Sequence, residues 1–406
     1  LFCALLSPYR NFRPTGLVLW STHHQRQRSN GTAHDTIARF LKRHISSAKQ
    51  RNPGRSVAPR PRKPFKNRRQ GQTQRSTQSK MKALVTGGTG FTGSHLVKRL
   101  IARGFEVRIL DTSPGLFAED LKELGANITL GSVTDAAVVD RLTAGVDQVF
   151  HLAAVFRQVN LPDRIYHEVN ATGTRVVGEA ALRHGIKSFV YCSTQGVHGN
   201  ISSPPGDENS PIRPEDYYQT TKYEGEQEIS TLATRGLPAT TLRPMAIYGP
   251  GDPARFLFLF RLVRRGNFLM FGSGETFYHP LYIDNLVDAF ELAGNRPVKG
   301  EVFLIGDAQY YTLNALVHAV GVSLGIDVRI VHLPFRPLWL AAVACETICR
   351  PLGLTPPLFR RRVDWFRQNR AFQVDHARRH LNYAPKIDLA TGLARTASWY
   401  KQHGYL

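Results

Sequence analysis

At 406 residues, 42% hydrophobic and 21% charged, the chain is long enough for a large α/β body and too apolar to be disordered throughout. Its net charge of +22 is unevenly placed: residues 1 to 80 hold 18 Lys or Arg against one acid, Asp35, and the remainder holds 35 against 30. The high basicity belongs to that tail, so nucleic-acid binding is not expected of the folded body.

Residues 1–80 are rich in Arg, Ser, Gln and Pro and follow neither a helical nor a strand period, which predicts a disordered basic tail. An Arg-rich, acid-poor composition suits an organellar presequence or an arm for anionic surfaces, while the lack of a long apolar core argues against a signal peptide. Met81-Lys82 directly precedes the first strand and the chain opens on Leu1, so upstream sequence translated from a start placed too early is the preferred reading of the tail.

The first folded element is an apolar strand, Ala83 to Thr86, running straight into Gly87-Gly88-Thr89-Gly90-Phe91-Thr92-Gly93 and a helix from about Phe91 to Arg103. Strand, glycine turn and helix start in succession make a dinucleotide phosphate site: Gly87 and Gly90 can take backbone conformations closed to other residues, and the helix N-terminus faces a pyrophosphate. The spacing, G-x-x-G-x-x-G, is one residue wider at its first gap than the common fingerprint, so the rest of the unit must support it. It does. A second buried strand, Glu106 to Asp111, ends on a carboxylate eighteen residues after Gly93, placed to take adenosine ribose hydroxyls and to repel a 2′-phosphate. NAD is therefore expected in preference to NADP.

Further strands are predicted at Asn127 to Leu130, Gln148 to Leu152, Ser188 to Cys192 and Ala239 to Leu242, with helical segments between them. Near-continuous apolar strands alternating with helices require a parallel sheet covered on both faces, so the fold class is α/β, a Rossmann-type doubly wound sheet. After about Arg243 the pattern loosens into short helices, glycine loops and extended pieces such as Glu301 to Ile305 and Val328 to His332. The division predicted is a basic tail at 1–80, an NAD-binding domain carrying the active site at 81–243, and at 244–406 a mainly substrate-binding lobe with some segments returning to the sheet. The apolar stretch Leu338 to Cys349 is too short to span a bilayer; peripheral membrane contact is open to it, but a buried core helix is expected. Cys3, Cys192, Cys345 and Cys349 make no metal-binding pair, and a reduced, cytoplasmic setting fits them.

Chemistry is suggested by Tyr218 and Lys222, four residues apart at the start of a helical segment, Asp216 to Ser230. That spacing puts phenol and ammonium on one face, and the ammonium favours the phenolate, making Tyr218 a usable proton carrier. The apolar strand before it ends in Ser193 and Thr194, hydroxyls at the strand end where ligands of such sheets bind. A hydroxyl there can bond a substrate oxygen or merely cap the next turn, and for Ser193 the two readings weigh equally.

These segments together resemble the extended short-chain dehydrogenase/reductases, the broad group of NAD-dependent epimerases, dehydratases and 3β-hydroxysteroid dehydrogenases. The resemblance rests on Thr86 to Gly93, Asp147-Gln148-Val149-Phe150-His151-Leu152-Ala153-Ala154, Val169-Asn170-Ala171-Thr172-Gly173-Thr174, Tyr191 to Thr194, the Tyr218/Lys222 pair and Leu242-Arg243-Pro244-Met245-Ala246-Ile247-Tyr248-Gly249-Pro250-Gly251. Looser matches follow at Tyr282-Ile283-Asp284-Asn285 and Leu381-Asn382-Tyr383-Ala384-Pro385. It implies that Tyr218 is the acid/base, that Lys222 holds the nicotinamide ribose, and that Thr194 polarises the substrate. Gly87, Gly90, Phe91 and Thr92 would cradle the pyrophosphate, Asp111 the ribose, and Ala153 would line the cofactor. Ser132 and Val133 fall at the adenine, Ser132 standing where the family often has an acid. His198 stands where Tyr is usual, and a pocket-edge role is preferred for it over substrate contact.

The resemblance implies a small-molecule substrate and a homodimer, and two reactions compete. One is net oxidation of a secondary alcohol, or reduction of its ketone, in the manner of 3β-hydroxysteroid dehydrogenases; the other is a nucleotide-sugar epimerase or dehydratase using tightly bound NAD. The second needs an arginine for the sugar diphosphate, and Gly274 to Leu281, where the family places one, has none; Arg255, Arg261, Arg264 and Arg265 are substitutes. The apolar Pro334 to Pro357 favours the first. A silent NAD sensor is argued against by the intact Thr194, Tyr218 and Lys222.

Overall fold

The computed structural model describes residues 80–156, 161–253, 255–349, 351–352, 354 and 356–406, with the Arg255 side chain outside the description. The expectation for the basic tail thus lies outside the described residues, Lys80 apart.

The first half of the body alternates strand and helix: β1 (Lys82–Thr86), α1 (Phe91–Ala102), β2 (Glu106–Asp111), α2 (Ala118–Glu123), β3 (Asn127–Leu130), α3 (Ala136–Thr143) and β4 (Gln148–His151). Then come α4 (Asp163–His167), a π-helical turn (Glu168–Thr172), α5 (Gly173–Arg183), β5 (Ser188–Cys192), a 3-10 turn (Gln195–His198), α6 (Tyr217–Thr234) and β6 (Ala239–Pro244). The second half holds β7 (Ala246–Tyr248), α7 (Arg255–Val263), β8 (Asn267–Phe271), β9 (Phe277–Tyr278), β10 (Pro280–Tyr282), α8 (Ile283–Asn295) and β11 (Val302–Ile305). It closes with β12 (Tyr311–Thr312), α9 (Leu313–Leu324), β13 (Arg329–Leu333), α10 (Phe335–Cys349), α11 (Arg360–Val363), α12 (Asp375–Leu381) and α13 (Leu389–Gln402).

Seven strands form one parallel sheet in the order β11-β6-β5-β4-β1-β2-β3. This is the Rossmann-type doubly wound sheet, and its direction of winding reverses between β1 and β4, where a crevice opens at the strand carboxyl ends. The central strands are apolar because helices cover both faces: Ala83, Val85, Ile109 and Phe150 pack on one side with α1 and α8, and Leu84, Leu110, Val149 and Phe189 on the other with α3, α5 and α6. Asp135 and Asp216 start α3 and α6 as side-chain caps, accepting the Ala137 N–H at 3.1 Å and the Gln219 N–H at 2.9 Å.

The chain after Pro244 builds a second core from Tyr248, Phe256, Phe260, Leu313, Val317 and Tyr400, while β11 returns to the edge of the main sheet beside β6. Asn285 fastens the last third to the body: its amide donates to Asp307 at 2.7 Å and its carbonyl oxygen accepts the Lys386 and Ile387 N–H groups at 2.9 and 3.0 Å. The Tyr383 hydroxyl donates to the Gly306 carbonyl at 2.9 Å, beside the Asp307 that Asn285 holds.

The expected burial of α10 is overturned. Its buried residues are Leu338, Ala342 and Glu346 alone, one stripe at helical spacing, while Leu340 and Ile348 are 60% and 63% exposed. Periodicity cannot distinguish a helix buried all round from one resting on a single narrow stripe when nearly every position is apolar. Among the described residues no helix is long and apolar enough to cross a membrane.

Candidate active site

The cofactor side is made mostly of backbone. Gly87 lies at φ +70°, and a Cβ there would stand 2.8 Å from the Ala153 nitrogen; one on Gly93 would stand 2.1 Å from the Gly87 carbonyl oxygen. Glycine at both positions lets β1, the end of β4 and α1 close to contact. Helix α1 begins at Gly90 without a side-chain cap and without an acid in its first turn, so the early N–H groups of Phe91 and Thr92 and the positive end of the helix present an anion site.

Asp111 ends β2 beside this loop and braces it. Its Oδ2 accepts the Thr89 N–H at 3.0 Å and the Thr89 hydroxyl at 2.7 Å, and its Oδ1 accepts the Thr112 N–H at 2.8 Å. A carboxylate offers about four acceptor positions, so capacity remains for a ribose hydroxyl. Ser132 turns into its own loop, its Oγ bonded to Thr134 Oγ1 at 2.8 Å and accepting the Thr134 N–H at 3.1 Å. Val133 is buried against Gly173. Ala153 donates its N–H to Thr86 Oγ1 at 3.2 Å and starts a relay through the sheet. Thr86 donates to His151 Nδ1 at 2.6 Å, His151 Nε2 donates to Thr174 at 2.9 Å, and Thr174 donates to the Asn170 carbonyl at 2.7 Å. Burial holds this imidazole neutral, with its pKa lowered to about 3.

On the other side of the crevice α6 packs across the end of β5. Lys222 is 1% exposed, and its Nζ has no hydrogen-bond partner among the described residues; it rests 4.2 Å from the centre of the Tyr191 ring. Burial brings its pKa down to about 8, so the ammonium still predominates at neutral pH. Tyr218, one turn earlier, is half-buried with its ring edge-on to Phe156 at 5.0 Å. Thr194, also half-buried, caps the 3-10 turn by accepting the Gly196 N–H at 3.1 Å, which leaves its hydroxyl proton for a ligand oxygen. The adjoining Gln195 is buried with its Oε1 unpartnered among the described residues. Lys222 thus lies against Tyr191 of β5, Tyr218 stands one helical turn before it on α6, and Thr194 follows the end of β5.

Ser193 and His198 belong to a different system. Ser193 donates to Glu226 Oε1, and Glu226 takes the Arg243 guanidinium in a fork, Nε to Oε1 at 2.9 Å and Nη2 to Oε2 at 2.5 Å. His198 donates from Nδ1 to the Ser210 carbonyl at 2.9 Å and accepts from Arg243 Nη1 at 3.0 Å through Nε2. All four side chains are buried, and burial together with the neighbouring guanidinium lowers the His198 pKa to about 4. Ser193 is thus a structural hydroxyl and His198 an interior one-donor, one-acceptor bridge. Glu226 escaped the sequence reading although it lies four residues after Lys222, and Arg243 was seen only as part of a matching segment. Asn170 was seen likewise; it clamps both backbone groups of Val155 at 2.8 and 3.1 Å and donates to Thr221 of α6 at 3.0 Å.

Three of the four candidate diphosphate arginines, Arg261, Arg264 and Arg265, are exposed. Arg261 donates to the Tyr405 carbonyl at 3.2 Å, and the Arg255 side chain lies outside the described residues. No group of three or more His, Cys, Asp or Glu suited to a metal occurs among the described residues.

Residues 83–306, more than half of the chain, match the NAD dependent epimerase/dehydratase family. The chain belongs to that family. Members of the NAD-dependent epimerase/dehydratase family resembling it include a 2-alkyl-3-oxoalkanoate reductase of Stenotrophomonas maltophilia, 30% identical over 78% of this chain and 98% of that protein. A 3beta-hydroxysteroid-dehydrogenase/decarboxylase of Arabidopsis thaliana is 30% identical over 79% of this chain and 80% of that one. Among solved structures, the dTDP-glucose 4,6-dehydratase DesIV of Streptomyces venezuelae, crystallised with NAD, superposes with a TM-score of 0.63 at 26% identity, covering 79% of this chain and 97% of its own. The protein is accordingly an NAD-dependent enzyme of the epimerase/dehydratase family, and NAD is its cofactor. The site fits it: an uncapped helix start behind a glycine turn suits a pyrophosphate, and the unpaired Lys222 ammonium suits ribose hydroxyls.

Proposed function

We propose that this enzyme oxidises a secondary alcohol, or reduces the corresponding ketone, on an apolar substrate, in the manner of 3β-hydroxysteroid dehydrogenases. The observation carrying this reading is the state of the three described candidate arginines: Arg261 is engaged by the Tyr405 carbonyl, Arg264 and Arg265 are exposed, and Gly274 to Leu281 contains no arginine. A sugar diphosphate needs paired donors held in place. The substrates named for the Stenotrophomonas and Arabidopsis relatives, an oxoalkanoate and a hydroxysteroid, accord with it.

In this reading Gly87, Gly90, Phe91 and Thr92 hold the pyrophosphate, Asp111 a ribose, Ser132 and Val133 the adenine, and Ala153 lines the cofactor after β4. Bound NAD supplies the hydride acceptor for the carbinol carbon. Tyr218 takes the hydroxyl proton on its phenolic oxygen, and Thr194 donates to the same substrate oxygen so that the developing carbonyl is held in place. Lys222 holds the nicotinamide ribose, and its charge favours the phenolate of Tyr218. Residues 244–406 would hold the substrate's apolar body. The free thiols of Cys192, Cys345 and Cys349 accord with a cytoplasmic setting.

The test is to give the purified protein NAD with a 3β-hydroxysteroid and with 2-alkyl-3-hydroxyalkanoates while following NADH by absorbance. NADH formed in proportion to product supports the proposal. NAD that copurifies, stays oxidised and supports epimerisation or dehydration of a nucleotide sugar overturns it.

A further inference from the structure

Helix α10 presents an outer face of Pro337, Leu340, Ala341, Ala344 and Ile348, all exposed, and the chain after it adds Leu352 and Leu354, 65% and 57% exposed. Large apolar side chains at this density on a surface mark a contact site rather than ordinary scatter. The helix's one acid, Glu346, is turned inward, where Arg360 donates to it from its backbone N–H at 3.0 Å and from Nε at 2.8 Å. Trp339 and Leu340 line a groove of about 370 Å³ with Phe335, Arg336 and Arg367.

Charge decides the occupant. Residues 335 to 370 contain seven arginines against Glu346 and Asp364; Arg336 and Arg367 are exposed and line the groove, Arg367 pairing with Asp364 at 2.6 Å, and the exposed Arg360 is held by Glu346, so the region keeps a net positive charge. A second copy meeting this face about a twofold axis would bring like charges together. The chain's own first 80 residues, with 18 Lys or Arg against one acid, have the same sign. An anionic lipid surface complements both features, since its headgroups take arginines and its acyl boundary takes Leu, Ile and Trp side chains.

The patch also adjoins the reaction site. Arg361 of α11 lies 3.5 Å from Asp216, the residue that caps α6 two positions before Tyr218, and the neighbouring Tyr217 and Phe156 are 38% and 50% exposed.

We propose that the α10–α11 face docks the enzyme onto an anionic bilayer, bringing the Tyr218 end of the crevice to the membrane surface. Docking stands on this surface alone and is measured apart from turnover. The test is sedimentation of the full chain with vesicles of phosphatidylcholine containing phosphatidylglycerol, against vesicles of phosphatidylcholine alone, for wild type and for the Leu340→Glu/Ile348→Glu double variant. Wild type is expected to partition onto the anionic vesicles, and the variant to lose at least about a hundredfold in partitioning with NAD binding retained. Should the variant fold poorly, emission of the wild type is quenched by brominated lipid and that quenching is lost in Trp339→Phe. Equal partitioning of wild type and variant would assign adsorption to the basic tail and overturn the proposal. So would a wild type that stays in solution or leaves its Trp339 unquenched, or a lipid-independent dimer that the double variant abolishes.

Discussion

The two walls of the crevice are built from different materials. Around Gly87 to Gly93 the wall is backbone, shaped by what is missing: a Cβ on Gly87, a Cβ on Gly93 and a side-chain cap on α1. Across from it, between β5, α6 and β6, the wall is side chain, and its rigidity comes from buried charge: Glu226 forked by Arg243, with Ser193 and His198 completing the set. The first wall offers an uncapped helix start behind a glycine turn, which suits a pyrophosphate. The second must keep a phenol, a hydroxyl and an ammonium in register, and a buried ion pair satisfied on all sides specifies position where apolar packing alone would leave slack.

If this division is right, changes on the two walls have different signatures. The largest effect is expected for Tyr218→Phe, which removes the proton carrier and leaves the glycine wall intact: turnover falls by about 10²–10⁴ while NAD still binds, measured by steady-state kinetics beside NAD titration. Equal loss of NAD binding would show that the walls are not separable. Next comes Glu226→Ala, which strands Arg243 in the interior; a stability loss of roughly 3–5 kcal/mol in urea unfolding is expected, and a loss under about 1 kcal/mol would mean the charge network does not support its wall. Smallest is Gly87→Ala, which places a Cβ against Ala153 at a positive φ: roughly 1–3 kcal/mol of stability and about tenfold weaker NAD binding, with Tyr218 chemistry unchanged at saturating cofactor. Unaltered NAD affinity there would refute the view that close approach at Gly87 shapes the phosphate site.

The backbone wall was readable in advance because it is local. Strand, turn, helix and the carboxylate at Asp111 fall within thirty residues, and the structure places β1, α1 and β2 within a residue or so of the expected bounds. Tyr218, Lys222 and Thr194 were readable as types at strand and helix ends, and they lie on α6 and just after β5. Their support was not. Glu226, Arg243, Ser193 and His198 come from four separate segments spanning residues 193 to 243, and a carboxylate on a polar helix reads as solvated until β6 is known to lie beneath it. The same blindness hid α10: an apolar run implies burial, and only its neighbours reveal that a single stripe is covered.

From sequence alone followed the parallel sheet and the NAD cofactor, because period, turn chemistry and spacing act between residues close along the chain. Tertiary structure alone decided which hydroxyl is buried and which is presented, that Asp111 braces the loop it adjoins, that Arg261, Arg264 and Arg265 are exposed, and that an apolar helix faces outward. Each of these depends on which distant segment comes to rest beside a residue, and burial and charge compensation are properties of that neighbour.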